Sequence, residues 1–181
     1  MIYLDVSFLL LALFVFVWSI SGIIALACGA PAVYADSRLI GEIFKLAKIK
    51  KEQIVLDLGC GDARSLIIAA KNYGAQGIGF EVSPFAYLKS KLNVLFSGHT
   101  KNVKIYFGDA RKAKNEIKKA DIIYLYLFDK ILREIEPMVF SAARPGTIIC
   151  SLGFQFKNHK PYLSKPLQNC KRITKVYFYK V

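Results

Sequence analysis

Val55-Leu56-Asp57-Leu58-Gly59-Cys60-Gly61-Asp62-Ala63 is the stretch that decides the fold. An apolar strand ends in a carboxylate, breaks into a glycine turn and runs at once into a helical pattern, Arg64-Ser65-Leu66-Ile67-Ile68-Ala69-Ala70. Glycines at 59 and 61 let the backbone turn sharply and approach a ligand where a Cβ would collide. The helix start behind them offers free N–H groups and the positive end of a helix dipole. A turn of this kind holds a nucleotide-like ligand at the carboxyl end of a parallel strand. The dinucleotide fingerprint G-x-G-x-x-G fails here, because Arg64 stands at the third glycine position. Asp57, two residues before the first glycine, would repel a pyrophosphate and suits a cationic ligand.

Working outward, Ile78-Gly79-Phe80-Glu81-Val82 reads as a second strand whose acid lies twenty-two residues after Gly59. Roughly 20 residues is the distance at which an acid reaches ribose hydroxyls in nucleotide-binding βαβ units. A third strand, 103–107, ends in Gly108-Asp109; a fourth covers 120–127 and a fifth 147–153 after the Arg144-Pro145-Gly146 turn. Acids at three successive strand ends are an improbable accident. Amphipathic helices are expected over 37–49, 85–96 and 130–142, and residues 173–181 read as an edge strand. Alternating α and β elements indicate an α/β, mostly parallel, doubly wound sheet.

The chain has 181 residues, room for one domain and an appendage. The appendage is amino-terminal. Residues 6–28 carry no charge, a length comparable with the roughly 20 residues that cross a hydrocarbon core. The absence of Lys or Arg in residues 1–5 and the length of the run argue against a cleaved signal peptide. Domain 1–30 is therefore expected to be a transmembrane anchor (helix about 6–28) and 31–181 the folded domain. Lys45, Lys48, Lys50 and Lys51 follow the anchor, while no basic residue precedes Arg38. Basic flanks face the cytoplasm, so a single-pass protein is expected with its N terminus outside and its domain cytoplasmic. The net charge of +13 allows nucleic-acid binding, attraction to an anionic lipid surface, or a bland lysine-rich composition; a tethered domain favours lipid over nucleic acid. Cys28, Cys60, Cys150 and Cys170 show no C-x-x-C spacing and read as reduced, small apolar residues.

Asp57-Leu58-Gly59-Cys60-Gly61 resembles the first motif of the class I (seven-strand) S-adenosylmethionine methyltransferases, whose ligand carries an ammonium and a sulfonium. The wider pattern adds Gly29-Ala30-Pro31-Ala32-Val33, Gly79-Phe80-Glu81, Gly108-Asp109 and Ala120-Asp121-Ile122-Ile123-Tyr124-Leu125-Tyr126-Leu127. It resembles the small membrane-anchored lysine methyltransferases that act on the ATP synthase c-ring protein and the ADP/ATP carrier. The resemblance implies a Rossmann-like sheet of order 3-2-1-4-5-7-6 and S-adenosyl-L-methionine as cofactor. It places the cofactor site at Asp57, Gly59, Cys60, Gly61, Asp62, Glu81, Val82, Asp109 and Ala110. The segment after the fourth strand would line a channel for the methyl acceptor, with Tyr126 as the substrate-side residue. A lysine of a membrane protein is the implied acceptor. A small-molecule or lipid methyltransferase and a non-catalytic cofactor-binding domain stand as alternatives. Two positions depart from the family. Tyr34-Ala35-Asp36 replaces a Pro-Thr/Ser-Pro segment thought to close over the cofactor, and Ala63 replaces the last glycine of Gly-Asp-Gly.

Overall fold

The computed structural model describes residues 2–27, 34–168 and 173–181. Seven strands form one sheet in the order β3-β2-β1-β4-β5-β7-β6, the order expected from the resemblance. They are β1 (Ile54–Leu58), β2 (Gln76–Glu81), β3 (Val103–Phe107), β4 (Ile122–Leu125), β5 (Ile148–Leu152), β6 (Leu163–Gln168) and β7 (Ile173–Lys180). The pairs among β1 to β5 are parallel, whereas β7 runs antiparallel to both β5 and β6. Residues 173–181 thus supply an interior strand, correcting the edge assignment. The edge belongs to β6, a mostly exposed strand carrying Lys165 and Pro166, residues that discourage further strand addition.

Helices cover both faces. The helices α2 (Ser37–Ala47) and α3 (Arg64–Tyr73) bury Leu39, Ile40, Ile43, Phe44, Leu66 and Ala69 on one side of β1 and β4. On the other side, α5 (Lys114–Ile117) and α6 (Asp129–Ala142) bury Ile117, Leu132, Ile135 and Val139. Covered on both faces, β1 and β4 can be apolar almost throughout. The helix α4 (Pro84–Phe96) starts at Ser83, whose hydroxyl accepts from Ala86 N–H, with proline at its first position. Buried Cys60 and Cys150 are free thiols within the apolar core.

The amino-terminal segment overturns the expected membrane anchor. Its backbone forms α1 (Ile2–Ala27), yet among the described residues no helix is long and apolar enough to cross a membrane. The helix instead docks on the domain, with Trp18 packing its ring 4.9 Å from that of Phe85 in α4 and Phe14 lying 6.4 Å from the same ring. The single-pass topology with an outside N terminus and a cytoplasmic domain falls with that anchor, and the lipid-surface partner loses the tether that favoured it. The boundary at 29–33, Cys28 and Cys170 lie outside the described residues.

Candidate functional site

The site lies at the carboxyl ends of β1, β2 and β4, where the strand order reverses direction from β1 to its two neighbours, the place where open α/β sheets bind ligands. Gly59 (φ +92°) and Gly61 (φ +57°) make the turn. A Cβ at Gly59 would sit 2.8 Å from Leu127 Cδ2. Glycine is needed on the facing strand as well, since a Cβ at Gly79 would lie 2.7 Å from Cys60 Sγ. Ala63, at the family's glycine position, caps α3 with φ +64°, a left-handed conformation that costs a non-glycine residue about 1 kcal/mol.

Hydrogen bonds tie the turn to β2. The N–H groups of Gly59 and Cys60 both donate to the Phe80 carbonyl at 2.9 Å. Gly61 N–H donates to Glu81 Oε2, and Ser83 N–H to Glu81 Oε1, each at 2.8 Å. Glu81 is 8% exposed, and burial pushes its pKa up against the pull of those amides. Asp57 is buried at the end of β1, where the Ser65 hydroxyl donates to it in a short hydrogen bond. Burial pushes the Asp57 pKa up to about 7, with Glu81 and Asp62 adding repulsion against the Ser65 bond. Asp62 behaves oppositely. Its burial is outweighed by the Arg64 guanidinium, which donates at 2.9 and 2.6 Å and holds the carboxyl below its usual range.

A small cleft of about 30 Å³ opens here, lined by Tyr34, Asp57, Gly59–Asp62, Arg64, Ser65, Tyr124 and Tyr126 among others. Tyr34 covers the turn, its Cε1 lying 3.2 Å from the Cβ position of Gly61. The ring sits between the Arg64 guanidinium and the Lys89 ammonium, 5.0 and 4.9 Å from its centroid. The replacement for the prolines is therefore an aromatic cover held by two cation–π contacts.

Of the residues expected to form the site, Asp57, Gly59, Cys60, Gly61, Asp62 and Tyr126 line this cleft, and Glu81 joins them through Gly61. Val82 and Ala110 stand outside it. So does Asp109, which caps the 3₁₀ turn Ala110–Lys112 by accepting from Arg111 N–H at 2.9 Å and pairs with the Arg111 side chain. Six lining residues were not among those expected: Tyr34, Ala35, Ile40, Arg64, Ser65 and Tyr124. Tyr126 packs at Gly153, its Cε2 3.5 Å from that residue's Cβ position. Next to it the rings of Phe128 and Phe154 stand 6.1 Å apart.

The donor set suits S-adenosylmethionine. Three carboxylates, two of them without a cationic partner among the described residues, surround a turn whose glycines admit close approach, as a ligand with an ammonium and a sulfonium requires. Such a fold with such a site defines a class I S-adenosylmethionine-dependent methyltransferase. A family model described as the ANTKMT methyltransferase domain matches residues 57–163. The chain belongs to that family. It is 26% identical over 132 residues to a protein-lysine N-methyltransferase of Saccharolobus islandicus, covering 72% of this chain and 81% of the relative. It is 23% identical to the lysine N-methyltransferase of the ATP synthase c-ring protein from Xenopus laevis, covering 72% and 56%. Among solved structures, an RNA methyltransferase from Salinibacter ruber in complex with S-adenosyl-L-homocysteine superposes with a TM-score of 0.74 at 27% identity, over 82% of this chain and 93% of that one.

Proposed function

We propose that the chain transfers the methyl group of S-adenosylmethionine to a lysine side chain of a protein. The observation that carries this reading is the aromatic wall beyond β4: Tyr126 over Gly153, then the Phe128–Phe154 pair at the rim. The lysine relatives support it. When bound, the cofactor supplies an electrophilic methyl on a good neutral leaving group. What remains for the protein is alignment, holding nucleophile, carbon and sulfur in line at near-attack distance. A lysine must also arrive as the free amine, and an apolar, aromatic passage favours that form by disfavouring the ammonium. Tyr126 stands where that passage meets the glycine turn. In this reading Asp57 and the Gly59–Asp62 turn hold the amino-acid end of the cofactor. Glu81 and Val82 hold the ribose, and Asp109 with Ala110 flanks the base.

The test is transfer of a labelled methyl group to the proteins of a lysate from cells lacking the gene, followed by acid hydrolysis. Label is expected in methyl-lysine; recovery in RNA or lipid instead would sink the proposal. Tyr126→Ala is expected to lower kcat/KM at least tenfold with cofactor Kd unchanged.

The elevated Asp57 pKa gives a pH signature. Because the folded value lies above the unfolded one, the proton-linked stability is full below about pH 4 and is lost as pH rises through about 7. A cationic ligand beside Asp57 favours the ionised form, so its binding releases a proton below that pH. Affinity for S-adenosylhomocysteine is expected to rise between pH 6 and about 7.5 and then level off. In Asp57→Asn the calorimetric titration should show a flat profile, and an unaltered slope would remove Asp57 from the site.

A further inference from the structure

One polar atom in the core lacks a partner. Among the described residues, the Tyr124 hydroxyl is the buried side-chain oxygen with no hydrogen bond. The residue is 3% exposed, and an unmet buried hydroxyl is costly enough to need a reason. Its ring packs edge-on against Phe44 of α2 at 5.7 Å. It borders the small cleft beside the glycine turn together with Asp57, Ser65 and Tyr126. In the sheet Tyr124 is the register partner of Asp57, so both side chains project to the same face.

We propose that the Tyr124 hydroxyl is a cofactor-binding group that shares the α-ammonium of S-adenosylmethionine with Asp57. The inference rests on the cofactor site proposed above. The strand order supplies the direction: β4 lies two strands from β2, roughly 10 Å at about 4.8 Å per strand. A ligand whose sugar lies at Glu81 therefore runs its amino-acid tail across β1 toward Tyr124. At that end the fixed groups are a buried carboxylate and a phenol. Burial and the nearby Asp57 raise the phenol pKa well above its usual value, so it stays neutral and can accept a hydrogen bond from an ammonium. In the free protein the cleft has room for about one water, and an incoming ammonium replaces it.

The experiment is Tyr124→Phe, read by calorimetry with two probes. One is S-adenosylhomocysteine; the other is 5′-methylthioadenosine, which has the nucleoside and sulfur but no amino-acid tail. S-Adenosylhomocysteine affinity is expected to fall roughly 10- to 100-fold, as for a lost hydrogen bond to a charged group, with 5′-methylthioadenosine affinity unchanged. The cofactor-free thermal midpoint should stay level or rise, because the substitution removes no protein hydrogen bond. Unchanged S-adenosylhomocysteine binding, an equal loss for both probes, or a midpoint lowered by several degrees would each overturn the assignment. Failure of the wild-type chain to bind S-adenosylhomocysteine would instead refute the cofactor site itself.

Discussion

Glu136→Ala lowers the thermal midpoint by roughly 10 °C. Glu136 sits on α6 with 1% of its surface exposed, yet no lysine or arginine pairs with it among the described residues. Its carboxylate accepts instead from a loop returning from β5. Lys157 N–H donates at 3.2 Å, Asn158 N–H at 2.7 Å and Asn158 Nδ2 at 3.2 Å. His159 Nδ1 lies at 2.8 Å, its ring stacked 3.4 Å above Phe140. Truncation leaves these donors facing an apolar helix, a cost of about 3 kcal/mol. At about 2–4 °C per kcal/mol for a domain of this size, that is roughly 10 °C. Glu136→Gln keeps one acceptor oxygen and is expected to lose about half as much. Calorimetric scans of the two variants check this, and a fall below about 2 °C for the alanine variant would show that the loop is held elsewhere. Burial works to raise the Glu136 pKa, but the His159 contact and the loop amides outweigh it and hold it below its usual value. Its stabilisation is present above the unfolded carboxylate pKa and lost as pH falls through the lower folded value.

The clasp also touches the site. The loop that Glu136 anchors begins at Phe154, whose carbonyl accepts from the Ser151 hydroxyl at 2.6 Å and whose ring faces Phe128 beside Tyr126. Loosening the loop therefore unsettles one wall of the proposed acceptor passage.

What the sequence discloses and what it withholds divide along the range of the interactions. The strand–turn–helix at Asp57–Arg64 is legible because its demands are local: glycine where φ is positive, a carboxylate at a strand end, a helix directly behind. Glu81 is legible because a βαβ unit fixes its distance from the turn. Glu136 is only half legible: helical spacing sets it on the buried face with Leu132, Ile135 and Val139, but the donors that satisfy it there come from a loop some twenty residues later. Tyr124 reads as one more β-forming aromatic in an apolar strand, and only the tertiary packing reveals a buried hydroxyl without a partner on a residue that lines the cleft. The interior position of β7 follows from the strand order that the resemblance implies but not from the residue pattern, because its partner β6, Leu-Ser-Lys-Pro-Leu-Gln, carries no strand pattern of its own. The composition of α1 fits a membrane span, but composition does not report the docking of Phe14 and Trp18 on Phe85.

Glu81→Ala abolishes cofactor binding, raising the S-adenosylhomocysteine Kd at least 100-fold. In the free protein both carboxylate oxygens of Glu81 take backbone amides, one from the glycine turn and one from the start of α4. The side chain thus has two functions: it joins the two segments, and it presents a charge at the end of β2. Ribose hydroxyls donating to a carboxylate form charge-assisted hydrogen bonds of about 1.5–3 kcal/mol each. Two of them amount to two or more factors of ten in affinity. Glu81→Gln separates the functions. Its amide oxygen can still accept from Gly61 N–H, while its NH₂ group repels a donating hydroxyl. Titration calorimetry is expected to show loss of binding in both variants, with the thermal midpoint lowered less by glutamine, which keeps one acceptor oxygen for Gly61 N–H but leaves Ser83 N–H without one, than by alanine. Full affinity in the glutamine variant would mean that Glu81 serves only to join β2 to the turn. The ribose would then have to be held by Asp109, whose carboxylate already accepts from Arg111 N–H and pairs with the Arg111 side chain.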